Sequence, residues 1–134
     1  MPIQVDQIEP HIFRNVLSGS VSLRELQQVV KKMRELADQT QETYYAVISD
    51  ATRLGTIPFD VQNLRKVAEI DPRMIAILVI KSPFVVRVAA DIVSRVTRLT
   101  MEHVNTESEG LERARQLVAA WEQRHSVRPG QPRP

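Results

Sequence analysis

Apolar and polar positions alternate from the start of the chain. Ile3, Val5 and Ile8 suggest a first strand at a sheet edge, and Ile12 and Val16, with a charged Arg14 between them, a second. Period-two patterns of this kind read as half-buried strands, here on either side of Pro10. The alternation breaks near Val16–Leu17, and Ser18, Gly19 and Ser20 turn the chain. The pattern then changes period. Ser22 and Glu25 stand three apart as a capping box, in which each side chain satisfies a backbone donor of the other residue. Behind them Leu23, Leu26, Val29/Val30, Met33 and Leu36/Ala37 recur every three to four residues, which predicts an amphipathic helix to about residue 39.

The stretch 44–49, YYAVIS, is short, apolar and rich in β-formers, and predicts a central strand ending at Asp50. Val61, Leu64, Val67 and Ala68 predict a short helix stopped before Pro72. MIAILVI, residues 74–80, runs apolar without alternation, as a strand buried on both faces does. Ser82 and Pro83 open a valine-rich helix over 84–98 as N-cap and first helical residue. LTMEHVNT predicts the last strand. The last helix carries Glu107, Glu109 and Glu112 early and Arg124 late, in accord with the helix dipole, with Leu111, Ala114, Leu117/Val118 and Trp121 facing inward.

The order β-β-α-β-α-β-α-β-α predicts an α/β fold: one layer of four to five mostly parallel strands with helices packed on it, the first strand antiparallel at an edge. At 134 residues the chain is expected to be one domain over 1–125, with a disordered proline-rich tail over 126–134.

Composition narrows the classes of function. Apolar content of 43% and charged content of 25% describe an ordinary globular protein. Residues 1–50 carry 5 Lys/Arg and 7 Asp/Glu, and residues 51–134 carry 13 and 9, so −2 and +4 sum to the net +2. That tilt is too weak to call for nucleic acid, and aromatic residues for base stacking are scarce. No cysteine is present, which removes disulfides, thiol nucleophiles and Cys-ligated metals. No stretch resembles a signal peptide or a membrane span, so the expectation is a cytoplasmic protein without membrane contact.

Catalytic and ligand motifs are missing. His11, His103 and His125 share no metal-ligand spacing, and no P-loop, GxGxxG, GxSxG or HExxH occurs. The reading is a protein that is not an enzyme and holds no metal or cofactor. In open α/β sheets, functional groups gather beyond the carboxyl ends of the parallel strands. Two loops belong there: Asp50 to Asp60, with Thr52, Arg53, Thr56 and Phe59, and Lys81 to Phe84, with Ser82. A phospho-accepting receiver domain, with Asp50 and Lys81 in the key places, fails for want of an acidic pair to hold Mg²⁺.

An initial strand pair, LSGSVS before a capped helix, and an apolar strand ending in Asp50 together resemble the STAS domain, the family of the bacterial anti-sigma factor antagonists. The resemblance spans residues 3–121 and rests on element order, hydrophobic placement and one weak motif. In that family the strand-to-helix loop is a switch, and a partner kinase phosphorylates a hydroxyl at the helix start. Laid on from Asp50, Thr52 stands for the family's Ser, and Leu54 and Ile57 match its apolar places. Thr56 replaces the aromatic, Pro58 the second Asp, Phe59 the following Ser and Val61 the Gly. Asp60 stands where members carry the phosphorylated Ser or Thr. Asp60 is then either a permanent charge in place of a reversible one or only an N-cap.

The resemblance implies a regulatory domain that binds a protein partner of the anti-sigma, serine-kinase-like kind through this loop. Phe59 either packs under the next helix or anchors the partner. Arg53 is a solvated loop residue or a contact for a partner carboxylate, Thr56 a polar loop residue or a modification site, and Ser82 an N-cap or a phosphosite. Two other readings stand beside it. The helix over 84–98 either fills the core or lines a cavity for an apolar, lipid-like ligand, as in the Sec14-like relatives. The first strand or last helix offers a surface for a homodimer.

Overall fold

In a computed structural model, which describes residues 4–54, 71–81 and 100–125, five strands form one sheet. They are β1 (Gln4–Glu9), β2 (Ile12–Gly19), β3 (Tyr45–Leu54), β4 (Met74–Ile80) and β5 (Thr100–Val104), and they lie side by side in chain order. β1 runs antiparallel to β2, and the remaining neighbours are parallel. The expected architecture is therefore present, with its antiparallel strand at the edge. The helices predicted over 61–68 and 84–98 and the tail over 126–134 lie outside the described residues.

Alternating side chains divide the sheet into two faces. On one face Phe13, Tyr45, Val47 and Met74 pack against Val29, Val30, Met33 and Ala37 of helix α1 (Leu23–Thr40). On the other, Ile12, Ala46, Ile48, Ala76, Leu78 and Val104 pack against Ala114, Val118 and Trp121 of helix α2 (Glu107–Arg124). Two sequence expectations change here. β2 is not half-buried, since Ile12 and Phe13 point to opposite faces at 2% and 0% exposure. Ile8 is not inward but 40% exposed, whereas Val5 packs against the α1-side core. Residues three apart on a strand point to opposite faces, so Val5 and Ile8 cannot both turn in.

The helix ends follow their local chemistry. Ser22 and Glu25 form the full capping box at the start of α1. At its other end Gln41 takes a left-handed φ of 59°, and its N–H and that of Glu42 close on Ala37 O. Gly110 lies in the first turns of α2, where a Cβ would stand 3.4 Å from methyl groups of Ile48 and Val104. The helix sits directly on β3 there, with just enough room for a Cβ.

A buried carboxylate ties α1 to the start of β4. Asp71, 2% exposed, accepts the Tyr45 hydroxyl at 2.5 Å and the Arg73 N–H and Nε at 3.0 Å. Arg73 then reaches Asp38 of α1 at 2.8 Å and the carbonyl of Arg34 at 3.3 Å. No helix among the described residues is long and apolar enough to cross a membrane.

Candidate functional site

The site begins with a strand longer than its sequence suggests. β3 does not end at Asp50 but continues to Leu54, so Asp50, Thr52 and Arg53 sit on the strand's last turns of pleat rather than in a loop. Val16 pairs with Asp50, yet Ser18 pairs with Arg53. Two steps on β2 thus match three on β3, which places one extra residue at Ala51–Thr52. A bulge of this kind leaves a backbone N–H without a ladder partner and re-aims the side chains after it. Asp50 meets that need, its Oδ1 accepting the Thr52 N–H at 3.0 Å. Ala51 stays buried in a small cluster with Val79, Leu54, Ile77 and Met101, while Thr52 and Arg53 are turned out to solvent.

Asp50 is held as a carboxylate. Burial works to raise its pKa, but the hydroxyl and N–H of Thr52, with Arg14 and Arg53 nearby, outweigh it and hold it below the ordinary value. Arg14 of β2 approaches from the α2 face, its Nη2 3.3 Å from Asp50 Oδ2, and its Nε pairs with Glu107 at the start of α2. Sequence reading did not reach Arg14 or Glu107. The available signal was the phase of β2, where Arg14 stands as a charge between two inward residues.

Lys81 follows directly on β4, the strand beside β3. Asp50 pairs with Ile80, so the register brings Lys81 to the same end of the sheet. It is exposed, takes a φ of 50°, and donates its N–H to Val104 O at 2.9 Å. Thus Asp50, Thr52, Arg53 and Lys81 share the carboxyl edge of the parallel strands, as expected. Thr56, Phe59, Asp60, Ser82 and Phe84 lie outside the described residues.

The three histidines do not meet at one site. At the opposite end of the sheet, His11, Tyr44, Trp121 and His125 stack in one column with ring centroids 4.3, 4.3 and 4.0 Å apart. His11 Nδ1 meets Glu42 at 2.5 Å, and His125 Nδ1 donates to the Trp121 carbonyl at 2.8 Å. His103 Nε2, on β5, lies 3.3 Å from Asn105 Oδ1. No three His, Asp or Glu among the described residues gather as a metal-holding group.

This fold, five strands in chain order with an antiparallel first strand and a helix on each face, is the STAS-like, SpoIIAA-like fold. It differs from the receiver type, whose strand order is 2-1-3-4-5. Three solved structures carry the comparison. The Bacillus cell fate determinant SpoIIAA in its phosphorylated form superposes with a TM-score of 0.53 at 16% identity, over 84% of this chain and 98% of that one. The anti-sigma factor antagonist SpoIIAA in its unphosphorylated form gives 0.53 at 16% identity, over 85% and 98%. An uncharacterised DUF3478-family protein with a SpoIIAA-like fold, from Shewanella loihica, gives 0.62 at 9% identity, over 84% and 92%. At these identities the likeness is one of fold. No protein family and no curated protein matches the chain by sequence.

Proposed function

We propose that this chain is a non-enzymatic regulatory domain that binds a protein partner at the carboxyl edge of its sheet, in the manner of an anti-sigma factor antagonist. The observation that supports it most is the bulged end of β3, which turns Thr52 and Arg53 outward in a fold shared with SpoIIAA. An exposed arginine at a strand end suits a partner with surface carboxylates. The reading extends to Thr56, Phe59, Ser82 and Phe84, assigned to the partner surface from the sequence alone, and to Lys81 at the same end of the sheet. The partner is a serine-kinase-like anti-sigma protein, and both act in the cytoplasm.

In this reading Asp60 supplies a constant negative charge where the SpoIIAA type carries a switchable one. A phosphate adds about −1.5 to −2 charge near neutral pH, and a carboxylate supplies part of that without a kinase. The test is a binding titration against kinase-like anti-sigma proteins encoded by the same genome. Binding that Arg53→Ala and Phe59→Ala each weaken supports the proposal. Absence of any binder, or a binder indifferent to both changes, defeats it. With a binder and ATP, the native chain should gain no mass at residues 50–60, and Asp60→Ser should gain one phosphoryl group.

A further inference from the structure

Arg14 is a cation in an inward place on β2, and two carboxylates share it. They are not held alike. Asp50 is 24% exposed at its side chain, and its second oxygen already serves the Thr52 N–H. Glu107 is 55% exposed, and Arg14 is the one partner of its carboxylate among the described residues. A pair with one half-exposed member is weak, because water screens it and the side chain gives up freedom to hold it. A guanidinium offers a rigid fork of donors that fits any oxyanion of similar shape. Nor is Glu107 required by its helix, since Thr106 caps α2 by accepting the Glu109 N–H at 3.1 Å.

We propose that Arg14 is an oxyanion receptor for which Glu107 is an internal placeholder. A carboxylate or phosphoryl group carried by a docking molecule displaces Glu107 and takes its place on Arg14, beside Asp50. Charge balance supports the exchange. Arg14 and Arg53 both act on Asp50, and with Glu107 they make two cations and two anions. Replacing one carboxylate by another keeps that balance. The released Glu107 carries the event to the start of α2, so occupation of the β3 end is felt on a second element. The biological meaning of this exchange rests on the reading of the β3 end as a docking surface.

The exchange can be read without a partner. The Arg14 Nε–H resonance is followed by NMR in the full chain while inorganic phosphate or acetate is added, against sodium chloride at equal ionic strength. In Glu107→Gln the resonance should shift saturably, with a midpoint about three- to fivefold below that of the native chain. Adding Arg14→Gln should abolish the accompanying shifts at the Ile48 and Thr52 amides. Should that variant fail to fold, Arg14→Lys keeps the charge without the fork and should raise the midpoint. Response to phosphate alone assigns a phosphoryl group, and response to acetate alone a carboxylate. Equal midpoints with and without Glu107, an equal response to chloride, or a response that survives loss of Arg14 overturns the proposal. Such a failure leaves the protein-partner reading standing, and a partner indifferent to Arg53 leaves the anion result standing.

Discussion

Asp71 is almost fully buried and still ionised. Burial pushes its carboxyl up, but hydrogen bonds from Arg73 and the Tyr45 hydroxyl pull it further down, below the ordinary 3.8. The same contact, with burial acting first, raises the Tyr45 hydroxyl far above its ordinary value. A carboxylate depressed in the folded state stabilises it above the ordinary value and loses that contribution as pH falls through the folded one. Asp71→Asn should therefore cost about 1–3 kcal/mol in urea unfolding near neutral pH. The gap from the native chain should shrink as pH drops below 3.8. A gap independent of pH would show that packing, not charge, accounts for it. Gln41 bears a different local strain, a left-handed φ of 59° that glycine adopts freely. Gln41→Gly is expected to add about 0.5–1 kcal/mol, seen as a raised melting temperature.

The strands and helices differ in how openly their sequences announce them. Ser22 and Glu25 marked the start of α1, because a capping box is a local interaction and is satisfied within four residues. The end of β3 was hidden, because Thr52 and Arg53 read as loop residues. Their extended backbone is held by β2, through the pairing of Ser18 with Arg53 and of Gly19 with Leu54. The contact of α2 with β3 passes through Gly110. A Cβ there meets side-chain methyls at 3.4 Å, close to ordinary contact. Gly110→Ala should thus raise stability by about 0.5–1 kcal/mol through helix propensity. Gly110→Val adds two methyl groups against β3 and should lower stability by about 1–3 kcal/mol. Thermal melts of the two variants give the signs, and a loss with alanine would mean that the helix cannot move at all.

Among the described residues the sheet carries a large core on each face, and the two share the backbone of β2, β3 and β4. Cooperative unfolding of both faces follows from that shared layer. Met33 lies in the α1-side core at 2% exposure, and Trp121, the chain's single tryptophan, lies in the α2-side core. Met33→Ala should cost about 2–5 kcal/mol. Trp121 fluorescence and far-ultraviolet circular dichroism should shift their urea midpoints together, although the change is on the face away from Trp121. Separate midpoints would show that the faces unfold apart. The two ends of the sheet also differ in kind. The stacked column of His11, Tyr44, Trp121 and His125 closes one end, and the exposed Thr52, Arg53 and Lys81 stand at the other.

The order of the described elements, the two periods of hydrophobic placement and the Ser22–Glu25 cap were present in the sequence, because each depends on neighbours within a few residues. They were enough to reach the STAS-like fold and to place Asp50, Thr52, Arg53 and Lys81 at one edge of the sheet. Asp50 changed meaning on folding, from the start of a loop to the residue that satisfies a bulge. Arg14 and Glu107, 93 residues apart, joined the site through pairing of β2 with β3 and packing of α2 on the sheet. Asp71 with Tyr45 and the four stacked rings arose in the same way. Contacts across such separations leave no periodic trace in a chain, since they depend on register between strands and on the seating of a helix, and both are set only when the sheet forms.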